Sequence, residues 1–240
     1  MSLPPPAQIR RLARAEIVPL LLLVLLAGGI WLFAALADEV SEGGTHRFDQ
    51  RVLLALRNPT DRALPWGPLW LQETERDFTA LGGVSVLSFL TLTVAGFLLL
   101  GGKRRAAGLV VVAVFGGLVL ATLLKHGFNR PRPELVPHGS YVYTTSFPSG
   151  HAMLSAATYL TLGALLARLQ PQRALKAYLL CVAILLTFLV GVSRVYLGVH
   201  WPSDVLAGWT AGGAWAILCW LAALVLQRRG KVEKAGEEIT

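Results

Sequence analysis

Long apolar runs alternate with short polar segments along this chain. Most of the runs reach or approach the ~20 residues that a helix needs to cross the hydrocarbon core of a membrane. The shortest is lengthened if Ser149, Gly150 and His151 extend it into the interface. The pattern predicts an all-α integral membrane bundle of six transmembrane helices. The runs without a charged residue are 17–37, 78–102, 106–124, 152–167, 177–193 and 205–227.

Between the first two runs, the segment 38–77 has a different periodicity. Its apolar residues Phe48, Val52, Leu53 and Leu56 recur at helical spacing. This predicts an amphipathic helix lying on the outer membrane surface. Two interpretations stay open: a lid that packs the helix ends, or a guide that leads lipid head groups to a site. The polar positions among the apolar ones are Arg47, Asp49, Gln50, Arg51 and Arg57.

The charge distribution orients the predicted helices. Only 15% of the residues are charged, against about 25% in soluble domains, and the formal net charge is +8. Of the 22 lysine and arginine residues, 13 lie in segments on one side, namely 1–16, 103–105, 168–176 and 228–240. The positive-inside rule therefore places both termini in the cytoplasm. Because the bases are scattered loop anchors, topology accounts for them and no nucleic-acid partner is expected.

Three polar blocks lie at the ends of the later runs, all on the extracytoplasmic face of this topology. The first is Lys125 with Arg132, which is bracketed by Pro131 and Pro133. Two prolines take the chain out of the helix in an extended form, so both bases can approach one anion. An arginine fork and a compact lysine charge suit the oxygens of a phosphate. Taken alone, the block also fits bases that reach out to water or lipid phosphates.

The second block, Pro148-Ser149-Gly150-His151, opens the fourth run. Proline is tolerated in a first helical turn, serine caps the turn, and glycine lets an anion approach the backbone. The unpaired amides at such a helix start bind anions, and His151 is within reach of the same anion. For this tetrapeptide alone, a capping or interfacial histidine is the alternative.

The third block is Ser193-Arg194 with His200 and Asp204, at the end of the fifth run and the start of the sixth. The Asp204 carboxylate can accept the proton of one imidazole nitrogen of His200 and leave the other nitrogen free to attack. A His–Asp hydrogen bond that only joins two helices is the alternative. The joint occurrence of three such blocks on one face favours a site that handles phosphate.

The three blocks together resemble the motif of the type 2 phosphatidic acid phosphatases, a family related to the vanadium haloperoxidases. The resemblance extends over about 78–227 and is greatest for six-span bacterial members that remove phosphate from lipids at the periplasmic face. The matching residues are Lys125, Arg132, Pro133, Pro148, Ser149, Gly150, His151, Ser193, Arg194, His200 and Asp204.

The resemblance implies a role for each of these side chains. His200 is the nucleophile and Asp204 orients it, while His151 protonates the leaving oxygen and then activates water. It implies neither a metal nor a cofactor, because three cations stabilise the transferred phosphoryl group. The implied phosphate-binding residues are Lys125, Arg132, Ser149, Gly150 and Arg194.

By the same resemblance the protein is a multi-pass lipid phosphatase of the cytoplasmic (inner) membrane that acts through a phosphohistidine. Undecaprenyl diphosphate, phosphatidylglycerophosphate, phosphatidate and lipid A-type phosphates all stay open as substrates. The alternative functions are a lipid phosphotransferase, a vanadate-type haloperoxidase-like enzyme and a transporter of anionic lipids. The sequence leaves the oligomeric state open.

We expect a single membrane domain over residues 1–240, since no internal repeat is present. Residues 1–16 and 228–240 are predicted to be cytoplasmic tails with mobile ends, and 78–227 the catalytic core. The first apolar run is too long and too apolar for a cleaved signal peptide, so we expect a retained helix. We expect Arg130 to be an exposed loop cation, with a contact to a second phosphate as the alternative. For substrate access, a lateral opening near the amphipathic helix is our hypothesis.

Overall fold

The computed structural model describes residues 6–140 and 144–228, and side chains over 17–140 and 144–226. The described chain is helical, apart from one isolated β-bridge between Arg57 and Pro65. The predicted all-α class is therefore confirmed. The tail residues 229–240 lie outside the described residues. The helices are α1 Pro6–Ser41, α2 His46–Ala55, α3 Leu69–Leu81, α4 Val84–Leu100, α5 Arg104–His126, α6 Gly150–Leu169, α7 Arg173–Tyr196 and α8 Pro202–Arg228.

Six candidate membrane spans agree with the prediction if one bent helix pair counts as a single span. Within the described chain, α1 (from Ile17), α5, α6, α7 and α8 are each long and apolar enough to cross a membrane. The remaining span consists of α3 and α4, which meet at an angle of 51°. The predicted extension of the shortest run is also correct, because α6 begins at Gly150.

The structure adds a break to the second predicted span, 78–102. Its helix is interrupted at Gly82–Gly83, and α3 begins at Leu69, within the segment 38–77. The hydroxyl of Tyr159 donates to the carbonyl of Leu81 at 2.8 Å, which satisfies a backbone group that the break frees. At the N-terminus, α1 begins at Pro6, a residue that is accepted in a first turn, so residues 6–16 of the predicted tail are helical.

The predicted amphipathic helix forms, as α2, but it is tied to the bundle. It packs against the start of α8, and Leu53 is fully buried in a cluster with Trp201 and Val205. Asp49 is also fully buried, and Arg57 donates to the carbonyl of Tyr196 at 2.8 Å. The expectation that these two polar positions lie on a membrane surface was wrong, because each has a buried polar partner. The arrangement favours the lid that packs the helix ends.

The central helix is α6, which packs against α5, α7 and α8. Small residues bring α6 and α8 close together, as the four-residue glycine spacing in α8 suggests. A Cβ added at Gly208 would lie 2.6 Å from the carbonyl oxygen of Ser149, and one at Gly212 would lie 2.8 Å from the Cβ of Ala156. This contact fixes the first turn of α6 beside the first turn of α8.

Candidate active site

Four helix ends meet at one end of the bundle. Lys125 lies in the last turn of α5, His151 in the first turn of α6, and Arg194 in the last turn of α7. Asp204 lies in the first turn of α8, which begins at Pro202. Successive spans cross in opposite directions, so the end of one and the start of the next share a face. The structure therefore brings the three sequence blocks together.

The side chains of His200 and Asp204 form the predicted pair. His200 is 2% exposed and its Nδ1 lies 3.4 Å from Oδ2 of Asp204. The same carboxylate oxygen accepts hydrogen bonds from the Trp201 amide at 2.9 Å and from the Ser146 hydroxyl. The tautomer that fits carries its proton on Nδ1. Nε2 is then an acceptor, and it faces Nη1 of Arg132 at 3.2 Å.

The electrostatic surroundings keep His200 uncharged. Burial lowers the pKa of His200 to about 3, Asp204 opposes this shift, and Arg194 and Arg132 add to it. A group whose pKa lies that far below neutrality is unprotonated at pH 7. The lone pair on Nε2 is therefore available for attack on an electrophile.

The three predicted phosphate-binding cations are held by neighbouring backbone and side-chain oxygens. Arg132 donates from Nε to the Thr144 carbonyl at 2.8 Å, and Lys125 donates to the Thr145 carbonyl at 2.8 Å. Arg194 donates to Oγ1 of Thr79 at 2.7 Å, next to the break in the second span. Within the described chain, Nε of Arg194 is buried without a hydrogen-bond partner. Such a donor gains a partner if an oxyanion binds here.

The start of α6 supplies two amides. Ser149 caps the helix, since its hydroxyl accepts from the Ala152 amide. Its own amide donates to the Asp204 carbonyl at 2.9 Å, which joins the start of α6 to α8. The amides of Gly150 and His151 follow, and a first helical turn offers them no internal acceptor. His151 lies within electrostatic range of the site's other predicted members, namely Lys125, Arg132, Arg194 and His200.

The Lys125 side chain lies beside the start of α6. A Cβ added at Gly150 would make an ordinary contact with Cε of Lys125 at 3.4 Å.

The structure corrects our expectation for Arg130. Its side chain is only 12% exposed and forms ion pairs with Asp49 and Asp204. Thr79 and Ser146 were also missed as partners of the predicted site, because nothing in their own neighbourhoods signals a role. Glu134, by contrast, is exposed in the loop, and His138 bonds the Pro133 carbonyl at 2.7 Å.

A cavity of about 510 Å³ adjoins the site. Lys125, Gly150 and His151 line its polar end, and Leu118 and Leu154 line its apolar side. Its walls come from the glycine break, α4, α5, α6 and the loop before α6. None of the residues that line this cavity belongs to α2, near which we expected the opening.

The arrangement has the parts needed for phosphoryl transfer. A neutral imidazole nitrogen can act as a nucleophile, a second histidine can move protons, and three cations with a helix start can stabilise equatorial oxygens. Among the described residues, no cluster of three or more histidine, cysteine or acidic side chains is arranged to hold a metal ion.

Comparison with known proteins places this site in a family. The model of the PAP2 superfamily matches residues 106–228. Phosphatidylglycerophosphatase B of Bacillus subtilis is 36% identical over 148 residues, which cover 60% of this chain and 70% of that protein. An undecaprenyl-diphosphatase of Sulfolobus acidocaldarius is 30% identical over 145 residues, which cover 58% of this chain and 63% of that protein.

A solved structure is similar over most of its length. The crystal structure of a transmembrane PAP2-type phosphatidylglycerolphosphate phosphatase from Bacillus subtilis aligns with a TM-score of 0.74 and 26% identity. The alignment covers 85% of this chain and 98% of that one. The family match runs from α5 through α8, the four helices whose ends form the site, and it spans more than half of the sequence. This chain belongs to the PAP2 superfamily.

Proposed function

We propose that this multi-pass membrane protein is a lipid phosphatase that removes phosphate from lipid head groups through a phosphohistidine on His200. The observation that carries the proposal is the placement of His200 Nε2. This nitrogen belongs to a buried, neutral imidazole whose other nitrogen faces Asp204, and it lies 3.2 Å from the Arg132 guanidinium. The phosphatase names of the relatives support the same reaction class.

In the first step, the lone pair of His200 Nε2 attacks phosphorus and the bond from phosphorus to the lipid oxygen breaks. His151 donates a proton to that oxygen as it leaves. The imidazole gains positive charge, which the Asp204 carboxylate stabilises. The bases Lys125, Arg132 and Arg194 hold the equatorial oxygens, over which the negative charge of the transition state is spread.

In the second step, His151 takes a proton from water as the water oxygen attacks phosphorus. The bond from phosphorus to Nε2 breaks, which returns a neutral His200 and releases inorganic phosphate. One histidine thus acts as acid and then as base, as the reversal of direction between the two steps requires. His151 begins and ends the cycle as the imidazolium, so the net charge of the site is the same before and after turnover.

We propose that the lipid reaches the site through the cavity between α4, α5 and α6. Its lining combines polar residues, among them Lys125 and His151, with apolar residues such as Leu118. A head group with the first atoms of its lipid chain needs both kinds of wall. Val84, on the wall, is 47% exposed and Thr122 is exposed, so the cavity borders the lipid side of the bundle. A volume of about 510 Å³ lies within the range of small-molecule sites.

We also propose one membrane domain with cytoplasmic termini and a site on the extracytoplasmic face of the cytoplasmic membrane. The basic loop at 103–105 and the basic segment 168–176 lie at the ends of helices opposite to the four ends that form the site. The positive-inside rule assigns such loops to the cytoplasm. In this arrangement 78–227 carry the chemistry and α2 covers it.

Phosphate release from a panel of lipids tests the proposed function. The purified protein in detergent micelles is expected to act on at least one of phosphatidylglycerophosphate, phosphatidate, undecaprenyl diphosphate and a lipid A phosphate. EDTA should leave the rate unchanged, because side-chain cations stabilise the charge, and orthovanadate should inhibit by occupying the same site. The active lipid should also be hydrolysed from the outer leaflet of right-side-out vesicles.

Two outcomes would contradict this proposal. If none of the four lipids releases phosphate, the proposed function is wrong. If EDTA abolishes the activity, the metal-independent mechanism is wrong. Halide oxidation switched on by vanadate would favour the haloperoxidase alternative instead.

Narrowing the cavity tests the access path. Thr122→Trp is expected to raise KM for the lipid by about tenfold, equivalent to about 1.4 kcal/mol, because the indole fills space next to the chain. The kcat for a short soluble ester, p-nitrophenyl phosphate, should stay unchanged. Leu123→Trp is the matched control, since Leu123 is the next residue, is 62% exposed and does not line the cavity. Equal effects of the two tryptophans on KM would refute the path.

A further inference from the structure

The guanidinium of Arg130 lies between two fully buried carboxylates. Its Nη1 donates to Oδ1 of Asp204 at 2.6 Å, and its Nη2 donates to Oδ2 of Asp49 at 2.6 Å. The group also lies 5.7 Å from the centre of the Trp201 ring. Arg130 thus links the acidic partner of His200 to a residue of α2.

Asp49 is fixed by more than this ion pair. Its Oδ1 accepts from the Ser203 amide at 2.9 Å, and its Oδ2 accepts from the Ser203 hydroxyl at 2.7 Å. Ser203 also accepts from Arg130 at 2.7 Å. A buried carboxylate with this many donors has one geometry, so α2 holds Arg130 in a set position relative to the first turn of α8.

The oxygens of Asp204 have separate partners. Oδ1 accepts a hydrogen bond from Arg130. Oδ2 accepts from the Trp201 amide and the Ser146 hydroxyl, and it faces Nδ1 of His200. A carboxylate held on one side in this way cannot rotate away from the imidazole. The orientation of Asp204 toward His200 therefore depends on Arg130.

The charges point to a second effect. Without Asp49, the positive charge of Arg130 would cancel the negative charge of Asp204, which stabilises His200 as its imidazole becomes positive. Because Asp49 balances Arg130, the three side chains together carry one net negative charge. In a buried site of low dielectric constant, such a charge acts strongly on its neighbour.

We propose that Arg130 and Asp49 are positioning residues for the reaction. Arg130 fixes the Asp204 carboxylate, and Asp49 balances Arg130 so that Asp204 keeps its negative charge for His200. This inference rests on the proposed function and assigns a role in it to α2. Neither residue touches the phosphate in this account, so their removal changes the chemical step and leaves substrate binding largely intact.

Three variants test the inference: Asp49→Asn, Arg130→Gln and the double variant. Each single variant is expected to lower kcat on the most active lipid of the panel by about 10- to 100-fold, the usual effect of removing a supporting partner, with KM within about threefold. The double variant removes both charges and leaves two amides that can bond each other and Asp204. Its kcat should therefore exceed that of either single variant.

Asp38→Asn is the matched control, because it makes the same chemical change at an exposed carboxylate and should leave kcat unchanged. The thermal unfolding midpoint of each variant shows whether a lower kcat comes from unfolding. A higher kcat in the double variant than in the single variants shows that an unbalanced charge slowed the single variants. Normal kcat in the single variants would overturn this inference but leave the proposed function intact. The same holds if the fold-loss of kcat in the double variant equals the product of the two single losses. No phosphate release by the unaltered chain would overturn the proposed function with it.

Discussion

Replacement of His200 by alanine is expected to lower kcat for phosphate release by at least about 10³-fold, while orthovanadate still binds within about tenfold of its normal affinity. The substitution removes the nucleophilic nitrogen and leaves Lys125, Arg132 and Arg194 with the oxygens that hold them. This one variant therefore separates binding of the oxyanion, which is retained, from the chemical step, which is lost. Phosphate release from lipid micelles and calorimetric titration with orthovanadate measure the two quantities.

The matched control is His138→Ala, which removes an imidazole whose hydrogen bond, among the described residues, is to the Pro133 carbonyl, and it should leave kcat unchanged. More than a tenth of normal activity in the His200 variant would contradict the role of the nucleophile. The transporter alternative makes a different prediction, since movement of lipid across a vesicle membrane should survive this substitution.

Replacement of His151 by glutamine is expected to lower kcat on lipids by about 10²- to 10⁴-fold, because the leaving oxygen of a lipid needs a proton. The nitrophenolate of p-nitrophenyl phosphate leaves without one. With that ester, the variant should release a burst of nitrophenol close to one equivalent per protein and then stop, because no base activates water against the phosphohistidine. Stopped-flow absorbance and phosphate label on the protein measure the burst.

A double variant that also carries His200→Ala is the control for this burst and should show neither nitrophenol nor label. Equal loss of activity on lipid and on the nitrophenyl ester, with no labelled protein, would contradict the assignment of His151 as acid and base. A label that is stable in acid and labile in base would point to a different nucleophile, since a phosphohistidine has the opposite stability.

The crossing segments could be predicted because a membrane imposes a local rule on the chain. Each span needs ~20 residues that are apolar whatever their neighbours are. The break at Gly82–Gly83 escaped the prediction for the same reason, since mean hydropathy is insensitive to a bend. The bend depends on Tyr159 and on the close approach of Gly82 to His151, where an added Cβ would meet the histidine Cβ at 3.3 Å.

The residues of the proposed site could also be predicted, because each motif block is a short stretch of sequence at or between the ends of neighbouring helices. His200 and Asp204 are four residues apart and meet as expected. Their supporting partners are remote in the chain: 81 residues separate Asp49 from Arg130, and 115 separate Thr79 from Arg194. A single sequence contains no signal for pairs at such distances.

The sequence by itself determined which segments are long and apolar enough to cross a membrane and which helix ends meet, and it supplied the candidate residues for phosphate. Only the tertiary structure decided where the remaining polar groups lie. Asp49 and Arg130 were expected at a membrane surface and in an exposed loop, yet both are buried against each other. The physical reason is that a polar side chain can satisfy its hydrogen bonds in water or with a partner, and the packing of distant helices decides which is available.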